Sequence, residues 1–281
     1  MSALARTRLA LVAASLALPL PALAVTVAPY VETIEGRVTS PAYTYGGSIS
    51  VPSFSWELDY DRSFDGVSVV KQVEILFSFV NALGFSDEQK ATWAAGAERA
   101  IESIWNGKYV IEDTVNDKVY SVGVDVVPLV VLAPGADQTV SVELQPAGCA
   151  ANPNDLACRD SMTRWFEDST DSIKAHEFGH MIGLYDEYLG GALNSATNPI
   201  LSSDGLMGLG ALSTAPVMYE RYYQQHLSFL AGIDLASYPG GSVGLQTPEL
   251  VLRPVPEPGT WALMGAGALL IGARLRRRAA A

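Results

Sequence analysis

The sequence predicts an α+β domain, on three observations. Strand-type composition fills the N-terminal third and returns in the middle of the chain. One amphipathic helix separates those two regions. A second helical stretch follows only after the last strand, so strands and helices do not alternate as they would in a parallel α/β fold. Residues 25–60 are rich in Val, Thr, Tyr and Ser with Pro and Gly punctuation, and read as short strands or an irregular lead. Residues 67–83 are apolar and fit helix or strand equally well. At Ser86-Asp87-Glu88-Gln89 a capping box starts a helix, with Ser86 as N-cap and Gln89 reaching back to it. Trp93, Ala97, Ala100, Ile101 and Ile104 give that helix one apolar face, and Asn106-Gly107 ends it. Residues 108–112 and 118–132 are strands joined by a turn at Asn116-Asp117. Residues 138–144 alternate Val140, Val142 and Leu144 with polar residues, the period of a half-buried strand. A helix is expected from about 169 to 184, then a Gly/Ser/Asn loop to 212, a helix over 217–230, and a Pro/Gly-rich linker after Gly232.

Charge excludes one class of function. The 281 residues carry a formal net charge of −12, and residues 25–255 hold 12 basic against 29 acidic residues, a net −17. A nucleic-acid or anionic-membrane binder needs the opposite sign.

Both ends read as addresses. Residues 1–24 place Arg6 and Arg8 before the apolar run 9–18 and the Ala22-Leu23-Ala24 cleavage site, the pattern of a secretory signal peptide with Val25 as mature start. Near the C-terminus Pro256-Glu257-Pro258 leads into the apolar run 261–273, followed by Arg274, Arg276, Arg277 and Arg278. Trp261 at one edge and arginines at the other suit a single transmembrane pass with the basic end inside. This arrangement resembles the PEP-CTERM sorting signal of Gram-negative bacteria. The resemblance implies an exosortase-type partner, removal of the tail, and delivery to the cell surface or extracellular matrix. The expected organisation is therefore a signal peptide (1–24), a catalytic-sized domain (25–235), a linker (236–254) and a sorting tail (255–281).

Two cysteines, Cys149 and Cys158, flank a turn-rich stretch, and in an exported chain they favour one structural disulfide. The Asp/Asn-rich residues 152–160 between and beside them read as a solvated turn rather than a calcium loop.

The informative stretch is 175–188. His176 and His180 are i and i+4, so on a helix both imidazoles leave one face and share one cation. Glu177 stands beside them as the base for an attacking water. Zinc suits the set, with an open position for that water. The flanking Phe178, Met181, Ile182 and Leu184 are those of a buried helix, and Gly183 lets the chain leave it. A third ligand is required, and Asp186 is favoured over its neighbour Glu187 on spacing, with His226 a remote rival.

His176-Glu177-x-x-His180-x-x-Gly183-x-x-Asp186 resembles the metzincin signature of zinc endopeptidases, in the snapalysin-like form that carries aspartate as third ligand. The resemblance implies a zincin domain with a twisted mixed sheet, a backing helix and an active-site helix. It also implies a methionine turn below the metal, for which Met207 in Ser203-Asp204-Gly205-Leu206-Met207-Gly208 fits better than Met218. The expected activity is hydrolysis of a protein or peptide substrate with Zn2+ as cofactor and Glu177 as general base. Tyr185, Tyr188, Tyr219, Tyr222 and Tyr223 offer phenols for the oxyanion, with none singled out, and residues 138–144 are placed to be a substrate-binding edge strand or, equally, an internal one. The competing readings are a matrix or adhesion protein with a structural zinc site, and a module that binds peptides without cutting them.

Overall fold

The computed structural model describes residues 28–131, 135–149, 158–234 and 248–256. Residues 1–24, expected to be a signal peptide, and the apolar run of the tail lie outside them, and among the described residues no helix is long and apolar enough to cross a membrane. In chain order the elements are β1 (Tyr30–Ser40), β2 (Tyr43–Tyr45), β3 (Ile49–Val51), β4 (Phe54–Phe64), β5 (Ser68–Phe79), α1 (Asp87–Trp105), β6 (Tyr109–Asp113), β7 (Lys118–Leu129), β8 (Gln138–Glu143), β9 (Arg164–Phe166), α2 (Asp171–Met181), α3 (Gln224–Ala231) and β10 (Leu250–Pro254).

The fold is α+β, with eight strands in one curled mixed sheet and β2–β3 as a separate hairpin. Along the sheet the order is β1-β4-β5-β7-β6-β10, with β8 beside the far end of β5 and β9 beside β8. The β5–β7, β5–β8 and β8–β9 pairings are parallel and the others antiparallel. The ambiguous stretch 67–83 is thus mostly strand. Val69, Lys71, Val73, Ile75 and Phe77 of β5 alternate inward with period two. A three-residue turn of 3₁₀ helix at Asn81–Leu83 ends it.

α1 starts with the capping box at Ser86 and Gln89 and ends at Asn106. It buries Ala94, Ala97, Ala100, Ile101 and Trp105 and packs against α2. Trp105 joins the two helices, its Nε1 donating to the Ala175 carbonyl at 3.1 Å and its ring packing on Phe178. α2 is shorter than expected at both ends. Thr170 is its N-cap, accepting from Ile173 N, and Ile182 closes it before Gly183 turns at φ +92°.

Three expectations need correction. The N-terminal lead is one long antiparallel ribbon in which Tyr30–Ser40 pairs with Phe54–Phe64 throughout, and only Asp61–Phe64 also pairs with β5. Its other end therefore projects past the sheet toward α2. The linker assigned to 236–254 ends in β10, which adds to β6 in register, buries Leu252 and pairs Arg253 with Glu112. Leu250, Val251 and Leu252, a short apolar run between Pro248 and Pro254, form a strand because β6 offers an open edge. The expected helix over 217–230 begins later: Tyr219 is extended, a 3₁₀ turn spans Glu220–Tyr223, and α3 follows.

Candidate metal centre

α2 brings His176, Glu177 and His180 to one end of a cleft of about 400 Å³, and the chain beyond Gly183 returns Asp186 to them. Donor atoms of His176, His180 and Asp186 all lie within 4.8 Å of one another, a separation that one ion can bridge. Each imidazole is held from behind by a backbone carbonyl, His176 Nδ1 at 2.8 Å from Leu206 O and His180 Nδ1 at 2.8 Å from Leu184 O. A carbonyl only accepts, so both Nδ1 atoms carry the proton and both Nε2 atoms face the centre. Asp186 Oδ1 sits 3.2 Å from one Nε2 and 3.4 Å from the other, buried and without a hydrogen-bond partner. Two imidazole lone pairs and one orphaned, buried carboxylate oxygen converging on one point fit a divalent cation, and the donor set of two nitrogens and one oxygen suits zinc.

The electrostatics of the side chains point the same way. Burial by itself lowers the basicity of both imidazoles, but the Asp186 carboxylate outweighs it, raising His176 and holding His180 near 9. Burial would raise Asp186, yet the two histidines hold its carboxyl well below the usual range. For Glu177 burial dominates, pushing its pKa up against the opposing histidines. A raised, buried carboxyl lining a cleft is the property a general base needs.

Which carboxylate joins the histidines is decided by the loop. Asp186 N donates to Ala192 O at 2.9 Å, and Asp186 Oδ2 accepts from Ala192 N at 2.6 Å, so the loop 186–192 closes on itself. A Cβ on Gly191 would stand 2.4 Å from that same Oδ2, so only glycine leaves room for the carboxylate. Glu187 points away, gripped by Arg221 at 2.5 and 2.6 Å and by the Tyr222 hydroxyl at 2.9 Å. His226 lies buried in the core at 3.0 Å from Gly123 O, outside the cluster.

Met207 lies fully buried beneath α2. A Cβ on Gly179 would stand 2.4 Å from its sulfur and 3.4 Å from Trp105, so Gly179 is what allows helix, methionine and tryptophan to meet. The Met207 turn also serves the site through its backbone: Leu206 O accepts from His176 Nδ1 and Met207 O accepts from Glu187 N at 2.7 Å. Met218 stays outside, its carbonyl accepting from Tyr109.

Elimination among the tyrosines leaves one for the cleft. The hydroxyls of Tyr185, Tyr219, Tyr222 and Tyr223 are bound to Thr39 O, Asp204, Glu187 and Trp105 O. Tyr188 lines the cleft with its ring 6.1 Å from His176; burial, the charges of Asp186 and Glu177, and the Asp186 carboxylate that its hydroxyl faces push its phenol far up, so it stays a donor. Sequence reasoning missed a further wall. Trp56 of the N-terminal ribbon donates from Nε1 to His180 O at 2.8 Å and packs edge-on against the His180 ring at 5.6 Å. Tyr43 accepts from Gly190 N and donates to Gly191 O, and Ser40 Oγ donates to Leu193 O, tying the ribbon to the Asp186 loop. No local signal marks contacts between residues more than a hundred positions apart. The edge opposite is not residues 138–144, since β8 is paired on both sides, to β5 and to β9. The cleft is lined instead by residues 159–164 leading into β9.

Cys149 and Cys158 are disulfide-bonded across nine positions, and there is no free cysteine. Asp160, beside that staple, accepts from Phe166 N at 3.0 Å and from Ser169 Oγ, which fixes the backbone at the cleft wall.

Residues 254–278 match the PEP-CTERM protein-sorting motif. The motif implies an exported protein that transits the membrane and is recognised by an exosortase. Its match begins at the last residue of β10, so the sorting tail leaves directly from the sheet. No curated protein and no solved structure matches the chain.

Proposed function

We propose that this exported protein is a zinc-dependent endopeptidase of metzincin-like architecture, delivered by its tail to the cell surface or matrix. One observation carries the reading: two imidazoles with fixed tautomers and the partnerless Asp186 Oδ1 converge at the end of a cleft that Glu177 also lines. His176, His180 and Asp186 would hold the zinc, and Met207 beneath the helix and Gly183 at its end support the likeness to metzincins. Bound there, zinc supplies a Lewis acid that polarises a scissile carbonyl and makes an attacking water more acidic. Glu177 takes the proton of that water and later passes it to the leaving amine. Tyr188 donates its hydroxyl hydrogen toward the oxygen on which negative charge develops. Trp56 and residues 159–164 form the two walls between which a peptide lies extended.

The test is cleavage of an unstructured protein by the purified, zinc-loaded protein and by Glu177→Ala. Cleavage that a chelator abolishes, with the variant keeping its zinc but losing turnover by ~10²–10⁴-fold, is the expected result. Equal cleavage by the variant would overturn the role of Glu177. One tightly bound zinc with no cleavage by either protein would favour the structural-zinc reading.

A further inference from the structure

We propose that Arg159 is a specificity-determining residue of this cleft, selecting peptides that present a carboxylate beside the bond to be cut. The proposal rests on the peptidase reading above and adds its substrate class. In a domain with 29 acidic and only 12 basic residues, many of the cations are spent on neighbours. Arg37, Arg62, Lys90, Arg221 and Arg253 pair with carboxylates. Arg164, also in the cleft, donates to Arg159 O at 2.8 Å and lies over the Phe166 ring. Arg159 differs. It lines the same cleft as Glu177, His180 and Asp186, is exposed, and has no carboxylate within ion-pair distance among the described residues. Its charge reaches the Tyr188 phenol, where it opposes Asp186 and Glu177. Its backbone is held on both sides, by the Cys158 disulfide before it and by the bonds of Asp160 after it.

The chemistry follows from the site's own charges. The two positive charges of a bound zinc are offset by the Asp186 and Glu177 carboxylates, so a substrate carboxylate has to be received by a cation of the cleft wall, which Arg159 supplies. A guanidinium offers two parallel donors matched to a carboxylate. That carboxylate comes from an acidic side chain flanking the scissile bond or from a free C-terminus, and the two sources are separable.

The experiment uses the zinc-loaded exported protein, Arg159→Ala and Arg159→Glu, with peptides carrying Glu, Gln or Lys at each position around one cleavable bond, each made with a free and an amidated C-terminus. Wild type is expected to favour Glu over Gln by ~10- to 100-fold in kcat/KM at one position. Arg159→Ala should bring that ratio to near one, and Arg159→Glu should shift preference to Lys. Preference that follows amidation instead of the internal Glu would place the recognised carboxylate at the C-terminus. A wild-type ratio near one for both sources, or an unchanged ratio in Arg159→Ala, overturns the proposal. Affinity of the same peptides for zinc-loaded Glu177→Gln separates the two readings. If nothing is cut, the peptidase reading fails, while carboxylate-selective binding lost in Arg159→Ala upholds the role of Arg159, and binding without selectivity overturns it.

Discussion

Gly191→Ala should disable the metal centre without touching a ligand. Gly191 has an unstrained backbone, unlike Gly190 at φ +104°, so an alanine there meets no conformational penalty of its own. Its Cβ would lie 2.4, 2.5 and 2.6 Å from Oδ2, Cγ and Cβ of Asp186. Ordinary contacts begin near ~3.5 Å, so the aspartate must retreat by about 1 Å. Zinc ligation requires about 2.0–2.2 Å from oxygen and tolerates no such retreat. The overlap should cost about 1–3 kcal/mol of fold stability. Zinc affinity should fall by at least the ~10–100-fold that follows when a ligand's support is lost. Competition with a chromophoric chelator measures the affinity and denaturant melts measure the stability. The decisive arm is a double-mutant cycle, because the effect runs through one carboxylate. In the Asp186→Ala background, Gly191→Ala should cost no further zinc affinity. Additive losses, or a Gly191→Ala protein that binds zinc as tightly as wild type, would refute the reasoning.

Two further outcomes separate the roles assigned to neighbouring groups. In chelator-treated protein the folded-state pKa of His180 is raised to about 9 from its ordinary 6.5. The stability this contributes is fully present below about pH 6.5, and it is lost as the pH rises through 9. Zinc competes with the same protons, so the rise in Tm that zinc confers should grow over that window; a chelated protein whose Tm stays flat from pH 6 to 9 would contradict it. Glu187→Gln breaks the grip of Arg221 and Tyr222 and should lose about 1–3 kcal/mol in a denaturant melt, while one zinc per chain remains; loss of the zinc would restore Glu187 as the ligand.

Local signals were legible because their physics is local. The capping box at Ser86 and Gln89 is complete within four residues, and α1 begins there and ends at Asn106, as the Asn106-Gly107 stop predicts. The pairing of His176 with His180 is a property of helical pitch, and the turn at Gly183 follows from a conformation that glycine adopts freely. The two cysteines, with no competitors, left one pairing. The alternation of 138–144 identified a strand but not its neighbours, since period two reports a face and is silent about an edge.

The rest required the folded chain. Asp186 and Glu187 are adjacent and chemically alike, and what divides them is Arg221, 34 positions away, together with the room left at Gly191. Trp56 is an unremarkable aromatic in a strand until the ribbon overhangs the sheet and places its indole on the His180 carbonyl. Tyr188 emerged from five tyrosines only because the other four hydroxyls are bound elsewhere. The sequence by itself determined which side chains can bind a metal, because donor type and helical spacing are written in a few consecutive residues. Only the tertiary structure decided which of them meet and what walls the cleft, because those choices depend on chain closure over tens to hundreds of residues, where no local pattern carries information.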